Sequence, residues 1–287
     1  MNGELQLLDP DNFPALLRHI PDRPKRLYAR GTLPPPERTW LAVVGSRACT
    51  PYGRQALRFL IDGLRGYPVV IVSGLAYGID AEAHRSALDA GLITVGVPGS
   101  GLDWQALYPR ANLSLAKEII ESGGALLSEE EPETRSMEYM FPKRNRIMAG
   151  LCHATLVVEA KEKSGSLITA KLCVEYNRDL LVVPGSIFSE ESRGTHQFLR
   201  LGATAVTSPD DILTALHITP RATGTLTSLR SDLNEHEQRV CATLRAPLSR
   251  EELIAELALP ITEANILLST MELKGIIVEE LGFVRVR

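Results

Sequence analysis

At 287 residues, 44% of them hydrophobic, the chain is long enough to bury a substantial core, and one large domain with a smaller companion suits its length better than two equal halves. No apolar run approaches the roughly 20 residues of a membrane span, and the N-terminal MNGELQLLDPDNFP lacks the basic and apolar regions of a secretory signal. The formal net charge of -4 is unevenly spread: residues 232–287 hold 10 acidic and 6 basic residues, which leaves the preceding part neutral overall and free to carry a local basic face.

Four cysteines (Cys49, Cys152, Cys173 and Cys241) stand singly, without CxxC or metal-ligand spacing. A cytoplasmic protein with free thiols, no metal and no cofactor is expected.

Residues 1–39 are rich in proline and poor in apolar periodicity, which predicts a lead-in arm whose Leu27–Gly31 segment, LYARG, pairs with a sheet edge. From Trp40 short apolar runs alternate with helical patterns. Predicted strands cover Leu41–Val44, Val69–Val72, Thr94–Val97, Ala125–Leu127, Leu156–Val158, Leu180–Val183 and Ala203–Val206. Predicted helices cover Tyr52–Leu64, Ala81–Ala90, Leu113–Ser122, Ser166–Asn177 and Thr195–Leu201. Such alternation implies an α/β fold with a doubly wound parallel sheet, whose ligands bind in the loops at the carboxyl ends of the strands.

The first of those loops, GSRACTPYG, follows a buried strand and opens a helix, with Thr50 as its cap and Pro51 in its first position. Unpaired amides of that helix start, together with the Arg47 cation, make an anion site suited to phosphate. The loop is neither GxGxxG nor GxxxxGK[ST], and the second strand ends in Ser73 where a ribose-binding acid belongs, so dinucleotide and P-loop chemistry are disfavoured. His84 reads as a core histidine, and Ser46 and Ser73 as turn residues without a neighbouring base.

Cations cluster at Lys143, Arg144 and Arg146, in the loop predicted to follow the fourth strand, with Lys171 beyond the next one. Taken alone, FPKRNRIMAG reads as a solvated turn entering a helix. If it shares the carboxyl edge with Arg47 and the amide-rich SGSLITA, a phosphate backbone can run along all three. Tyr139 and Phe141 offer a stacking surface for an unpaired base, and the acidic run Glu129–Glu131 reads as a rim or helix-start feature.

Taken together and in order, GSRACTPYG, SGLAYGIDAEAH, PGSGLDWQALYPRAN, FPKRNRIMAG, EAKEKSGSLITA and PGS with the later GTHQF resemble the signature of the DNA-processing protein A family, DprA/Smf, across about Trp40 to Leu213. The resemblance implies an extended Rossmann-like domain that binds single-stranded DNA, forms a homodimer and helps load RecA recombinase in natural transformation, without catalysis of its own. Carried over by position, it implies DNA contacts from Gly45, Ser46, Arg47, Ser73, Gly74, Phe141, Lys143, Arg144, Asn145, Arg146, Ser164, Gly165, Ser166, Thr169 and Lys171. The chain departs from the family in having a lead-in too short for a helical N-terminal domain, and in Pro98 where a leucine is usual before the third loop's glycine. The phosphoribohydrolases, which share a Rossmann-like sheet, need a catalytic glutamate after a glycine loop; here Thr169 and Ala170 hold that place.

From Asp232 the pattern changes to three helices and a hairpin. Leu233–Leu244 is helical, Ser249 with Glu252 forms a capping box, Thr262 caps the last helix and Gly275 ends it, which predicts a winged helix. The domains expected are a lead-in arm (1–39), a Rossmann-like DNA-binding domain (40–215), a linker (216–231) and a winged-helix domain (232–287). Two alternatives to a recombination mediator stay open: a nucleotide-hydrolysing enzyme of the phosphoribohydrolase kind, and a regulator that binds duplex DNA through the winged helix.

Overall fold

The lead-in joins the main sheet. In the computed structural model, which describes residues 3–220, 233–244, 247–280 and 282–286, Leu5–Leu8 (β1) and Leu27–Gly31 (β2) pair antiparallel, with the short helix Ala15–Arg18 (α1) between them. LYARG is thus a strand of the sheet, flanked by the edge strand β1 on one side and the sheet's Ala125–Ser128 strand on the other.

Strand and helix then alternate, from Thr39–Val44 (β3), Pro51–Asp62 (α2), Val69–Ser73 (β4), Ile79–Asp89 (α3) and Ile93–Gly96 (β5) to Leu113–Glu121 (α4) and Ala125–Ser128 (β6). Met140–Leu151 (α5), Ala154–Val157 (β7), Ser166–Glu175 (α6), Asp179–Val182 (β8), Arg193–Arg200 (α7), Thr204–Ala205 (β9) and Pro209–Ala215 (α8) complete the first unit. The nine strands lie in the order β1-β2-β6-β5-β4-β3-β7-β8-β9, with β3 to β9 mutually parallel and β2 antiparallel to β6. Chain order reverses between β3 and β7, so the sheet is doubly wound about β3.

The pleat explains the two covering layers. Ala42 and Val44 pack on one face with Leu17, Ile147, Met148 and Ala170 of α1, α5 and α6. Leu41 and Val43 pack on the other with Leu57, Ile61, Ala83 and Ala87 of α2 and α3, and with Leu213 of α8. A strand buried on both faces must be apolar at every position, as β3 is from Trp40 to Val44.

One element departs from the expected pattern. Phe141–Gly150, read as part of a loop, lies inside α5. Its apolar positions Met140, Ile147, Met148 and Leu151 are buried at helical spacing, with Arg144 buried among them.

The chain forms two compact units, Met1–Pro220 and Arg221–Arg287. Of the predicted linker, Leu216 and Ile218 pack on the first unit's core, and residues 221–231 lie outside the described residues. The second unit holds Glu235–Thr243 (α9), Leu248–Ser249 (β10), Arg250–Leu257 (α10), Ile261–Leu273 (α11), Ile277–Glu280 (β11) and Phe283–Val286 (β12), with an antiparallel sheet in the order β10-β12-β11. Val240, Leu253, Leu268, Met271 and Val284 form its core, and Ser249 and Glu252 form the expected capping box. The last helix begins at Ile261 behind Pro260, so Thr262 lies inside it and is not its cap. Among the described residues no single helix is long and apolar enough to cross a membrane.

Candidate nucleic-acid interface

The carboxyl ends of β3, β4 and β5 and the start of α5 meet at one rim. After β3 the chain turns through Gly45 and Ser46, whose Oγ accepts from the Ala48 amide at 3.2 Å. Thr50 then caps α2, its Oγ1 accepting from the Gly53 amide at 3.1 Å, with Pro51 in the first helical position. Buried Glu159, just beyond β7, accepts from the Thr50 amide at 2.8 Å and its hydroxyl at 2.5 Å, and so anchors the loop where it enters α2. Arg47 projects from this loop into solvent with no acidic partner among the described residues, its guanidinium 5.2 Å from the centre of the Phe141 ring.

The second loop is locked against the first. Gly78 has φ +73°, and a Cβ there would overlap the Ser46 and Arg47 carbonyl groups, so the close approach requires glycine. The Ile79 amide donates to the Ser46 carbonyl at 3.1 Å, the Ser73 hydroxyl to the Val43 carbonyl at 2.7 Å, and the Gly74 amide to Asp80 Oδ2 at 3.1 Å. Gly78 precedes α3, and Asp80 lies within its first turn, facing back to Gly74 rather than capping the helix.

Arg144 lies beneath this rim, 6% exposed, and donates to the Val97 carbonyl. Burial holds its guanidinium down at about 10, opposed by the attraction of Asp80 and assisted by the repulsion of Arg47. Burial likewise raises Asp80 above the ordinary carboxylate value, while Arg144 pulls it down. Arg144 and Asp80 are thus electrostatically coupled beneath the surface that Arg47 presents.

The other cations of α5 point elsewhere. Lys143 Nζ lies 2.9 Å from Glu130 and 3.4 Å from Glu129; Arg146 pairs with Glu129 and, at 3.7 Å, with Asp22. Phe141 and Arg144 sit three apart on one helical face, and Lys143 and Arg146 share another. Glu129 and Glu130 are thereby counter-charges to the cluster, and Glu131 pairs with Arg26 and Tyr28. The run follows β6 at its carboxyl end, part-exposed, and opens no helix, since α5 begins only at Met140; of the reading as a rim or helix-start feature, the helix start is corrected.

At α6, Asn145 Nδ2 donates to the Gly165 carbonyl at 3.3 Å, tying α5 to the SGSLITA segment, where the Ser164 and Ser166 hydroxyls stand 2.6 Å apart. Lys171 is exposed on α6 without an ion pair among the described residues. Thr169 and Ser73 are 1% and 0% exposed, so neither side chain reaches the surface. The structure thus brings Arg47, Phe141, Arg144 and Gly74 together, while Lys143 and Arg146 are engaged with acids.

Sequence reasoning counted PGSGLDWQALYPRAN, in the loop after β5, among the signature motifs but named no DNA contact in it. Tyr108, from that loop, packs against Phe141 with ring centroids 6.0 Å apart; its place between Leu107 and Pro109 carries no periodic signal that could have marked it.

A family model for DNA recombination-mediator protein A matches residues 4–217. The chain is 44% identical over 203 residues to DNA processing protein DprA of Streptococcus pneumoniae, covering 71% of each, and 40% identical over 212 residues to Protein Smf of Escherichia coli, covering 74% of this chain and 56% of the relative. The solved DprA from S. pneumoniae superposes with TM-score 0.69 at 40% identity over 74% of each chain. DNA processing protein A from Helicobacter pylori, solved for its single-stranded DNA binding mode, superposes with TM-score 0.66 at 30% identity over 76% of this chain and 98% of that one.

Proposed function

This chain belongs to the DNA recombination-mediator protein A family, and from that membership and its rim geometry we propose that it binds single-stranded DNA along the carboxyl edge of the sheet. It acts there as a non-catalytic recombination mediator in the cytoplasm, as a homodimer that aligns two such edges and presents the strand to RecA recombinase. The observation that carries this reading is Arg47: an exposed cation with no acidic partner among the described residues, held on an aromatic ring at a loop-to-helix junction.

A strand laid along this edge meets the Arg47 guanidinium and the loop backbone at Ser46 and Arg47, whereas Glu159 already occupies the start of α2 and the Ala48 amide is held by Ser46. Phosphates supply the attraction, and exposed rings supply a face for unpaired bases. Lys171 and the Gly165 amide extend the phosphate path. Arg144 lies beneath it, coupled to Asp80, and Lys143 exchanges Glu130 for phosphate when the strand arrives.

The second unit suits protein docking better than duplex recognition. Its Arg250 is paired with Glu272 at 2.9 Å and Glu279 at 2.8 Å, and its Lys274 with Glu237 at 2.7 Å, so these cations are already neutralised.

Affinity for a single strand against a duplex, each at two salt concentrations, tests the proposal. Tighter single-strand binding is expected, and Arg47→Ala should weaken it across sequences and reduce the salt slope by about 0.7. Equal affinity for both forms, or unchanged binding by Arg47→Ala, overturns it; turnover of a nucleoside monophosphate would favour the enzyme alternative.

A further inference from the structure

The Phe141 ring is engaged on several sides. Arg47 lies over it at 5.2 Å, a Cβ at Gly99 would fall 2.6 Å from its Cδ1 atom, and the Tyr108 ring meets it at a 52° tilt. Two rings so inclined cannot take a flat base between them, since stacking needs parallel faces. Tyr108 itself is 41% exposed, and its hydroxyl makes no hydrogen bond among the described residues. Its backbone is nonetheless fixed: the Tyr108 amide donates at 3.3 Å to the hydroxyl of fully buried Ser100. An open ring that shares the Phe141 contact with an exposed guanidinium is suited to a stacking platform on the same edge as a phosphate contact.

We propose that Tyr108 provides the stacking face for an unpaired base, with Phe141 as the support that contacts both this ring and the Arg47 guanidinium. The assignment rests on the single-strand reading above. Other exposed aromatics are less suited: Tyr77 and Tyr139 have no ring or guanidinium neighbour among the described residues, and Tyr52 donates its hydroxyl to the Pro184 carbonyl at 2.6 Å. Because every base has a π-face, the contact favours bases over their absence without reading sequence.

The test compares oligothymidylate with an abasic strand of equal length, by fluorescence anisotropy at one salt concentration, for the full-length protein and its variants. Tyr108→Ala and Tyr108→Leu should lose about 5- to 100-fold on oligothymidylate and less than about 2-fold on the abasic strand, whereas Tyr108→Phe keeps both affinities. Wild-type affinity of Tyr108→Ala for oligothymidylate, or an equal loss on both strands, overturns the role of Tyr108 and leaves the single-strand reading standing. Wild-type protein that binds neither strand overturns that reading and this assignment with it.

Discussion

The Arg47 guanidinium lies 5.2 Å from the centre of the Phe141 ring, a contact that joins the loop after β3 to the first turn of α5. It gives an otherwise exposed arginine a preferred posture without neutralising it, because a ring quadrupole attracts a cation and leaves its net charge intact. An ion pair would hold the side chain as firmly and cancel the charge that draws a phosphate.

Replacing the ring while keeping its bulk should therefore matter. Phe141→Leu is expected to weaken single-strand binding by about 2- to 5-fold, the worth of one exposed cation–π contact. Anisotropy titration checks this, and circular dichroism confirms that α5 is retained.

Lys143 has the opposite arrangement, its Nζ 2.9 Å from Glu130. Glu130→Gln removes that competitor, so single-strand affinity should rise by about 2- to 5-fold at low salt, and the gain should fade as salt screens the exposed pair. A variant that binds no more tightly at low salt would show that Glu130 does not compete with phosphate for Lys143.

Gly78 joins the first two loops with φ +73° against the Ser46 and Arg47 carbonyls. Gly78→Ala must strain the backbone or part the loops, so a stability loss of about 1–3 kcal/mol is expected by urea denaturation, with weaker strand binding. Wild-type stability would mean that the two loops separate without cost.

Buried His84 has its Nδ1 2.7 Å from Thr94 Oγ1 and no hydrogen-bond partner for Nε2 among the described residues. Burial pushes its pKa from 6.5 down to about 3. Above the unfolded value both states hold it neutral; as pH falls from about 6.5 toward 3 the unfolded chain takes up the proton first, and the folded state loses stability. His84→Gln lacks this titration, so the stability gap between wild type and variant should narrow over that window in denaturation series at stepped pH. A constant gap would show that His84 is accessible to protons in the folded state.

Much of the frame is legible one-dimensionally. Trp40–Val44 is apolar at every position because both sheet faces are covered, and Thr50 with Pro51 marks the start of α2 by local capping chemistry. Helix α5 was hidden for a related reason: three cations in four residues read as solvent-facing, although Arg144 is buried against the Val97 carbonyl and only Lys143 is well exposed. A pattern of polarity assumes that charge faces water, and Arg144 breaks that assumption.

By itself, the amino-acid order determined the strand-and-helix alternation, the doubly wound architecture, the glycine-hinged loops and the motifs that resemble DNA-processing proteins, since all of these follow from local conformational preference and burial period. Only the tertiary structure decided which cations are left without a counter-charge among the described residues. Arg47 reaches a ring, whereas Arg146 and Lys143 reach Glu129 and Glu130. Coulomb attraction depends on distance in space, and the folded sheet and helix α5 set those distances.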